Sequence, residues 1–295
     1  IASSVASGYV TLLALDEQLE VTQATVKSRE EALNLAKRQY ETGYSSRLEL
    51  MQSDSELRST RAQIPLLRHQ IAQQENALSI LLGANPQRVD RSADFEALTP
   101  LKIPSQLPST LLNRRPDIVQ AERQLIAADA SLAASRASLL PSFNLTAGGS
   151  IQDRTLPALL DNPLQLWSLG GSILVPLLNR QALNAQVDIS QSQRNQALYG
   201  YEKTVRNAFR EVNDSLDAIT RYQEQLQELQ AQQAVAQETL RIAQNRYRNG
   251  YSSYLDVLDA QRTLFSVQTS VVQVKNNLLL AQIDLYRALG GGWSV

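Results

Sequence analysis

The chain has 295 residues, and its 28 basic and 29 acidic side chains nearly cancel to a formal net charge of −1. With the two signs interspersed there is no basic stripe for nucleic acid, and without cysteine these residues form no disulfide or thiolate metal site. No apolar run approaches the ~20 residues of a membrane-spanning helix, and the single histidine, His69, predicts neither a catalytic triad nor a metal centre.

The N-terminal part of the chain predicts two long helices. Residues 1 to about 40 carry apolar side chains at three- and four-residue steps without an intervening proline. Gly43 then stands where a helix C-terminus favours glycine. A second helix is predicted from about 47 to 83, and because Pro65 falls inside it we expect a kink or a packed distortion there.

A connecting segment and a third helix follow. Residues 84–108 contain four prolines and predict short elements at most. The third helix is predicted to open at Arg115-Pro116-Asp117, since proline suits the first helical position and an acid suits the first turn. It stops at Pro141.

Two runs of about ten residues after Pro141 alternate apolar and polar side chains, which predicts two strands. Ten residues is the length with which a tilted strand crosses a bilayer. Phe143 and Trp167 lie near the strand ends, where an interfacial aromatic girdle would lie. On the strands alone, a half-buried hairpin of a soluble protein stays an alternative. In lipid, one hairpin cannot close a barrel, so other repeats or other chains must supply the remaining strands.

The last part of the chain predicts a long helical hairpin that turns at Gly250. Before the turn, apolar residues alternate steps of four and three; after it, apolar residues from Leu258 onward recur every seven positions. Both patterns are typical of coiled coils.

The two helical turns belong to an internal repeat with an offset of 207 residues (250 minus 43). The segment Tyr40–Leu48 returns as Tyr247–Leu255, and Leu82-Gly83 returns as Leu289-Gly290. A repeat of this length duplicates a whole architectural unit. About a hundred residues precede only the second copy, so we expect the chain to lack the N-terminal portion of the first repeat.

Six motifs, in order along the chain, carry a resemblance to a known family. They are Asn113-Arg114-Arg115-Pro116-Asp117-Ile118, Pro141-Ser142-Phe143-Asn144-Leu145-Thr146, Leu174-Val175-Pro176-Leu177, Arg246-Tyr247-Arg248-Asn249-Gly250, Leu258-Asp259-Ala260-Gln261-Arg262 and Leu285-Tyr286-Arg287-Ala288-Leu289-Gly290-Gly291-Gly292-Trp293. Together they cover nearly the whole chain and resemble the TolC-like outer membrane efflux factors, most closely the OprM/NodT-type lipoproteins of tripartite multidrug pumps.

The resemblance implies a mainly α fold with a small β part, in which three chains pool their strands into one barrel of about twelve. Below it, long helical hairpins form a periplasmic tunnel. The implied function is a passive conduit that exports small molecules and is gated at its periplasmic tip. Its partners would be two further copies, a periplasmic adaptor (membrane fusion) protein, an inner membrane transporter and outer membrane lipid, with no cofactor, metal or enzymatic activity.

Five segments follow from this architecture. They are a first helical hairpin over 1–83, a proline-rich equatorial connector over 84–108, a helix over 109–141, a barrel hairpin over 142–176 and a second helical hairpin over 177–290.

The start of the final helix matches the positions that form the family's periplasmic constriction. Threefold symmetry would turn each residue into a ring: Leu255 could close the pore by dewetting, while Asp256 and Asp259 would favour cations. Asp259 could also pair with a neighbouring Arg262. The first copy carries Glu49, Gln52 and Ser55 at the positions of Asp256, Asp259 and Arg262, so the second hairpin is expected to form the gate. The alternative is that these charges are a solvated helix surface.

The two turns would lie at the far end of the tunnel, where the family meets its adaptor. Their residues are Gly43, Tyr44, Ser45 and Ser46 in the first copy and Gly250, Tyr251, Ser252 and Ser253 in the second. A helical turn alone explains the glycines and the serines, which cap the following helix, but not both tyrosines.

Two other function classes compete with a channel. A soluble coiled-coil scaffold or adaptor explains the heptads and turns but not two alternating strands. An enzyme finds no support, because the sequence has no glycine-rich phosphate loop, no H-E-x-x-H motif and no nucleophile beside a base.

Overall fold

The computed structural model describes residues 1–98, 115–152 and 164–291, and over them the chain is mainly helical. The helices are α1 (Ala2–Glu41), α2 (Arg47–Leu81), α3 (Pro116–Ala137), α4 (Arg180–Arg248) and α5 (Tyr254–Ala288), and the strands are β1 (Ser142–Gln152) and β2 (Leu164–Leu174). No helix among these residues is long and apolar enough to cross a membrane.

The chain forms two compact units. One contains Ile1–Leu111 with Phe209–Val295, and the other contains Leu112–Ala208. The first unit therefore holds α1, α2, α5 and the part of α4 that follows Ala208. The second holds α3, both strands and the start of α4.

In the first unit, both predicted helical turns have the same backbone geometry. Gly43 and Gly250 have φ angles of 77° and 76°, a left-handed conformation that favours glycine. The N–H of Tyr44 donates to the Gln39 carbonyl at 2.8 Å, and that of Tyr251 donates to the Arg246 carbonyl at 2.9 Å. These bonds close the two preceding helices as Schellman motifs.

Helix α2 differs in detail from its prediction. It ends at Leu81, two residues short of the predicted end, and continues through Pro65. Ser46 caps its start by accepting the Glu49 N–H at 3.3 Å, which satisfies one of the free amides of the first turn.

Apolar side chains pack the first unit in several clusters along the helices. Leu12, Ile71 and Leu78 pack between α1 and α2, while Leu278 and Leu285 of α5 pack with Ile219 of α4. The described part of the connector, residues 84–98, also joins this core: Phe95, 3% exposed, packs against Leu13, Ala14, Val272 and Leu279. Residues 99–108 of the predicted connector lie outside the described residues.

Lys275 fixes the connector to α5. Its ammonium group donates to the carbonyls of Phe95 and Glu96 at 2.8 and 3.0 Å and lies 4.9 Å from the centre of the Phe95 ring. Burial lowers the pKa of Lys275, and the charge of Glu96 opposes that shift.

In the second unit, α3 begins at the predicted proline. Arg115, in the N-cap position, donates from Nε and Nη2 to the two carboxylate oxygens of Asp117 at 3.1 and 2.7 Å. The hydrogen bond from Arg115 lowers the pKa of Asp117. Ile118 packs against Ala208 of α4. The preceding Asn113-Arg114 lies outside the described residues.

The two strands form an antiparallel hairpin with β1 beside β2. The register sets Phe143 opposite Ile173, Leu145 opposite Gly171 and Ala147 opposite Leu169. Directly opposite residues share a face, so most of the large apolar residues of both strands lie on one side, while Leu166 and Leu174 lie on the other. Residues 153–163, between the two strands, lie outside the described residues.

Candidate functional site

The four predicted gate residues lie in the first turns of α5, and all four are exposed. Leu255, Asp259 and Arg262 follow the i, i+4, i+7 spacing that aligns side chains on one helix face. The opposite face of the helix carries the buried residues Val257 and Ala260. The sequence therefore presents an apolar, an acidic and a basic side chain together on one exposed stripe.

Within the chain, the close ionic partner of Arg262 is Glu56 of α2. The Nε atom of Arg262 donates to Oε1 of Glu56 at 2.9 Å, and Nη2 contacts the same oxygen. Asp259, the partner that the sequence suggested, is farther away at 3.6 Å from Nη1. The Glu56 hydrogen bond raises the pKa of Arg262. Sequence reasoning missed Glu56, because its counterpart at the repeat offset is Thr263.

The second oxygen of Glu56 is held by a buried arginine of α1. Nη1 of Arg29 lies 3.0 Å from Oε2 of Glu56 and donates to the Glu56 backbone carbonyl at 2.9 Å. The same nitrogen contacts Thr60 Oγ1, and the guanidinium carbon lies 5.6 Å from the centre of the Phe265 ring. Burial lowers the pKa of Arg29, while Glu56 acts in the opposite direction.

Two tyrosines connect the second turn to the first hairpin. Tyr254 donates its hydroxyl to Ser53 Oγ at 3.0 Å. The Tyr247 hydroxyl contacts Gln39 and lies 3.4 Å from Glu49 Oε2. Burial, helped by the charge of Glu49, raises the pKa of Tyr247 to about 12. The repeat offset pairs Tyr247 with Tyr40 but pairs Tyr254 with Arg47. The repeat therefore pointed to Tyr247 in the sequence but not to Tyr254.

The predicted tip residues lie on the two turns, and both tyrosines point away from the protein core. Tyr44 is 88% exposed and Tyr251 is 77% exposed. Apart from the adjoining residues in the chain, no described atom lies within 4 Å of where a Cβ atom at Gly43 or Gly250 would be, so the space beside each glycine is open in the described structure.

The four serines of the turns have different environments. Ser46 caps α2, whereas Ser253, the N-cap residue of α5, makes no side-chain cap bond. Ser45 Oγ lies 3.4 Å from the Ala36 carbonyl. The hydroxyl of Ser252 is buried without a hydrogen-bond partner among the described residues.

The predicted girdle residues lie on the apolar face of the hairpin. Phe143 is 76% exposed and Trp167 is 84% exposed, and each projects from the same face as its cross-strand partner. Trp167 lies opposite Gly149, six residues along β1 from Phe143. The two aromatics are therefore separated along the hairpin, and the exposed apolar face between them has Leu145 and Leu169 as its large side chains.

The chain is similar to outer membrane efflux proteins in sequence and structure. The protein-family model "Outer membrane efflux protein" matches residues 1–84 and 107–291 of this chain. A probable efflux pump outer membrane protein, TtgC of Pseudomonas putida, is 36% identical over 294 residues, which are 99% of this chain and 61% of the relative. The cation efflux system protein CusC of Escherichia coli is 34% identical, and the match covers 99% of this chain and 64% of CusC.

A solved structure of the outer-membrane channel OprN superposes with a TM-score of 0.93 at 26% sequence identity, over 99% of this chain and 66% of that chain. The chain thus spans about three fifths of the length of the curated relatives named above.

Proposed function

The chain belongs to the outer membrane efflux protein family, and from that premise we propose that it is the channel component of an efflux pump in the outer membrane. The family is one of transport proteins rather than enzymes. The proposed channel is a passive, trimeric conduit that carries small molecules from the periplasm to the outside. The observation that carries the proposal is the hairpin, whose register places most of the large apolar side chains of both strands, Phe143 and Trp167 among them, on one exposed face.

The dimensions of the hairpin support its place in a barrel. Eleven residues per strand extend over about 36 Å at ~3.3 Å per residue. Tilted by about 40°, such a strand rises about 28 Å, close to the ~25 Å apolar band of outer membrane barrels. One hairpin leaves two edges unpaired, and a closed barrel therefore requires strands from further copies or repeats.

The spacing of Phe143 and Trp167 along the hairpin limits the proposed aromatic girdle to one of the two residues. Phe143 and Trp167 are six residues apart along the hairpin, which corresponds to about 20 Å along a strand and about 15 Å across a bilayer at that tilt. They cannot both lie at opposite edges of one ~25 Å band. We place Phe143 at the edge nearer α3 and Trp167 within the band.

The proposed gate is the exposed stripe at the start of α5. In a trimer, a ring of Leu255 would close the pore by dewetting, and rings of Asp256 and Asp259 would favour cations. The ion pair of Arg262 with Glu56 would hold the second hairpin against the first in the closed state. Opening would then require this pair to separate.

The proposed partners follow the same architecture. The exposed tyrosines of the turns, Tyr44 and Tyr251, would contact a periplasmic adaptor protein, which in turn binds an inner membrane transporter. Aromatic side chains beside an open surface are suited to such contacts, since they bury a large area at low conformational cost.

Planar-bilayer conductance of the mature protein tests the proposal. We expect small, rare openings in the parent and large, stable openings in a Leu255→Ala/Asp259→Ala variant. The matched control is Leu48→Ala/Gln52→Ala, which changes the equivalent positions of the first copy and should conduct like the parent. A protein that is soluble without detergent, and whose variants never conduct, would favour the scaffold alternative instead.

A further inference from the structure

The first hairpin contains a buried charge where the second hairpin is apolar. Arg29 of α1 is 5% exposed and packs beside the fully buried Thr60 of α2. At the repeat offset of 207 residues, the second hairpin has Ala236 and Val267, and both are buried. The corresponding positions of the second hairpin are therefore occupied by two small apolar residues, without any charge.

This difference needs a cause, because burying a guanidinium group is unfavourable unless its charge and donors are matched. Replacing a buried ion pair by well-packed apolar residues is often neutral or stabilising, and the second hairpin has the small apolar residues Ala236 and Val267 at these two positions. Arg29 Nη1 makes three contacts, with the carboxylate of Glu56, its backbone carbonyl and Thr60. Two of them are with Glu56, so the role of Arg29 lies in what it does to that residue.

Glu56 contacts two arginines through two different oxygens. Oε2 lies against the buried Arg29 at 3.0 Å, and Oε1 accepts from the exposed Arg262 at 2.9 Å. The chain places these three side chains on α1, α2 and α5, so the contacts run from the interior of the first hairpin to the gate stripe of the second.

We propose that Arg29 is a positioning residue of the gate, which fixes Glu56 so that one carboxylate oxygen is always presented to Arg262. This inference rests on the proposed channel function. A free glutamate side chain loses considerable rotamer entropy when it is ordered, and an ordinary exposed ion pair contributes little to stability. Because Arg29 already orders Glu56, the closing contact with Arg262 does not bear that entropic cost.

The test is a double-mutant cycle read as the ratio of open to closed time in planar bilayers. We expect Arg29→Met to raise this ratio about tenfold, which corresponds to about 1.4 kcal/mol, the size of the side-chain ordering cost. In an Arg262→Met background the same change should have less than a twofold effect, because the contact that Arg29 supports is already absent. Arg61→Met is the control: it removes an exposed α1–α2 ion pair with Glu30 and should leave the ratio unchanged.

Two results would overturn the inference while leaving the channel in place. Arg29→Met could gate like the parent, or it could raise the ratio equally with and without Arg262, which would mean that it only loosens the hairpin. In both cases the Leu255→Ala/Asp259→Ala variant would still conduct. If no variant conducts, the channel function fails and the inference fails with it. Should Arg29→Met not assemble, Arg29→Lys takes its place, since lysine keeps the charge but lacks the planar guanidinium.

Discussion

Removing the Phe95 side chain should release the connector from the helices. Phe95 is 3% exposed in the cluster that joins α1 to α5, and truncation of a buried phenylalanine to alanine costs about 3–5 kcal/mol. The cation–π contact with Lys275 adds about 0.5–1 kcal/mol. Taking the lower bound of about 3 kcal/mol, the local opening equilibrium of the connector should rise on the order of 100-fold in Phe95→Ala.

Hydrogen exchange of the assembled protein measures this opening directly. Protection of the amides in residues 84–98 should fall about 100-fold in Phe95→Ala, while the α3 amides keep their protection. Phe209→Ala is the matched control, because it deletes the same side chain at a position that is 49% exposed. Unchanged connector protection in Phe95→Ala would refute the reasoning that Phe95 anchors this segment.

Three further outcomes are expected near the second turn. Gly250→Val forces a side chain into a left-handed backbone (φ 76°) at a cost of about 1–2 kcal/mol, whereas Gly250→Asn adds bulk with less strain. In both variants trimers should survive and crosslinking to the adaptor should fall. Crosslinking equal to that of the parent in both variants would contradict adaptor contact at this turn. Because the pKa of Tyr247 is raised to about 12, its contribution to stability is fully present below about pH 10, its ordinary pKa, and is lost as the pH rises towards 12. Burial also raises the pKa of Tyr254, so in Tyr247→Phe the late part of the ultraviolet phenolate titration should lose the amplitude of one tyrosine, and an unchanged late amplitude would contradict the assignment. Tyr254→Phe leaves Ser53 Oγ without the Tyr254 donor and should cost about 1 kcal/mol, read as faster hydrogen exchange at the start of α5; exchange equal to that of the parent would show that this bond does not hold the two helices together.

Local sequence signals predicted the helices and turns well, because each depends on neighbours in the chain. The glycines at 43 and 250 follow long apolar periodicities, and both adopt the left-handed conformation that ends a helix. The alternating strands also form the hairpin, in a register that puts most of their large apolar residues on one face. Helix α2 contains Pro65 in its interior, as predicted, and the kink expected there stays a prediction.

The contacts of the candidate site were less predictable, because they join residues about 200 positions apart. The sequence suggested that Asp259 could pair with a neighbouring Arg262, yet within the chain the closer partner of Arg262 is Glu56 on another helix. No local pattern specifies that pairing, and comparing the two repeats conceals it by aligning Glu56 with Thr263. The roles of Leu255 and Asp259 in gating stay predictions that conductance will decide.

The distribution of contacts along α5 indicates which part of it can move. Val272 and Leu279 lie in an apolar cluster with α1 and Phe95, and separating them would expose apolar surface to water. Nearer the turn, Tyr254 and Arg262 join α2 through hydrogen bonds, and such bonds exchange with water at a net cost of about 1 kcal/mol each. Tyr254 precedes Val272 by about 27 Å of helix at ~1.5 Å per residue, and at the turn it packs with Val257 and Leu258 against Ala243 of α4. The tip of the second hairpin can therefore part from α2 as a unit while the cluster at Val272 stays closed. Such an opening would move the Leu255 stripe and leave the connector in place, which is the behaviour that the proposed gate requires.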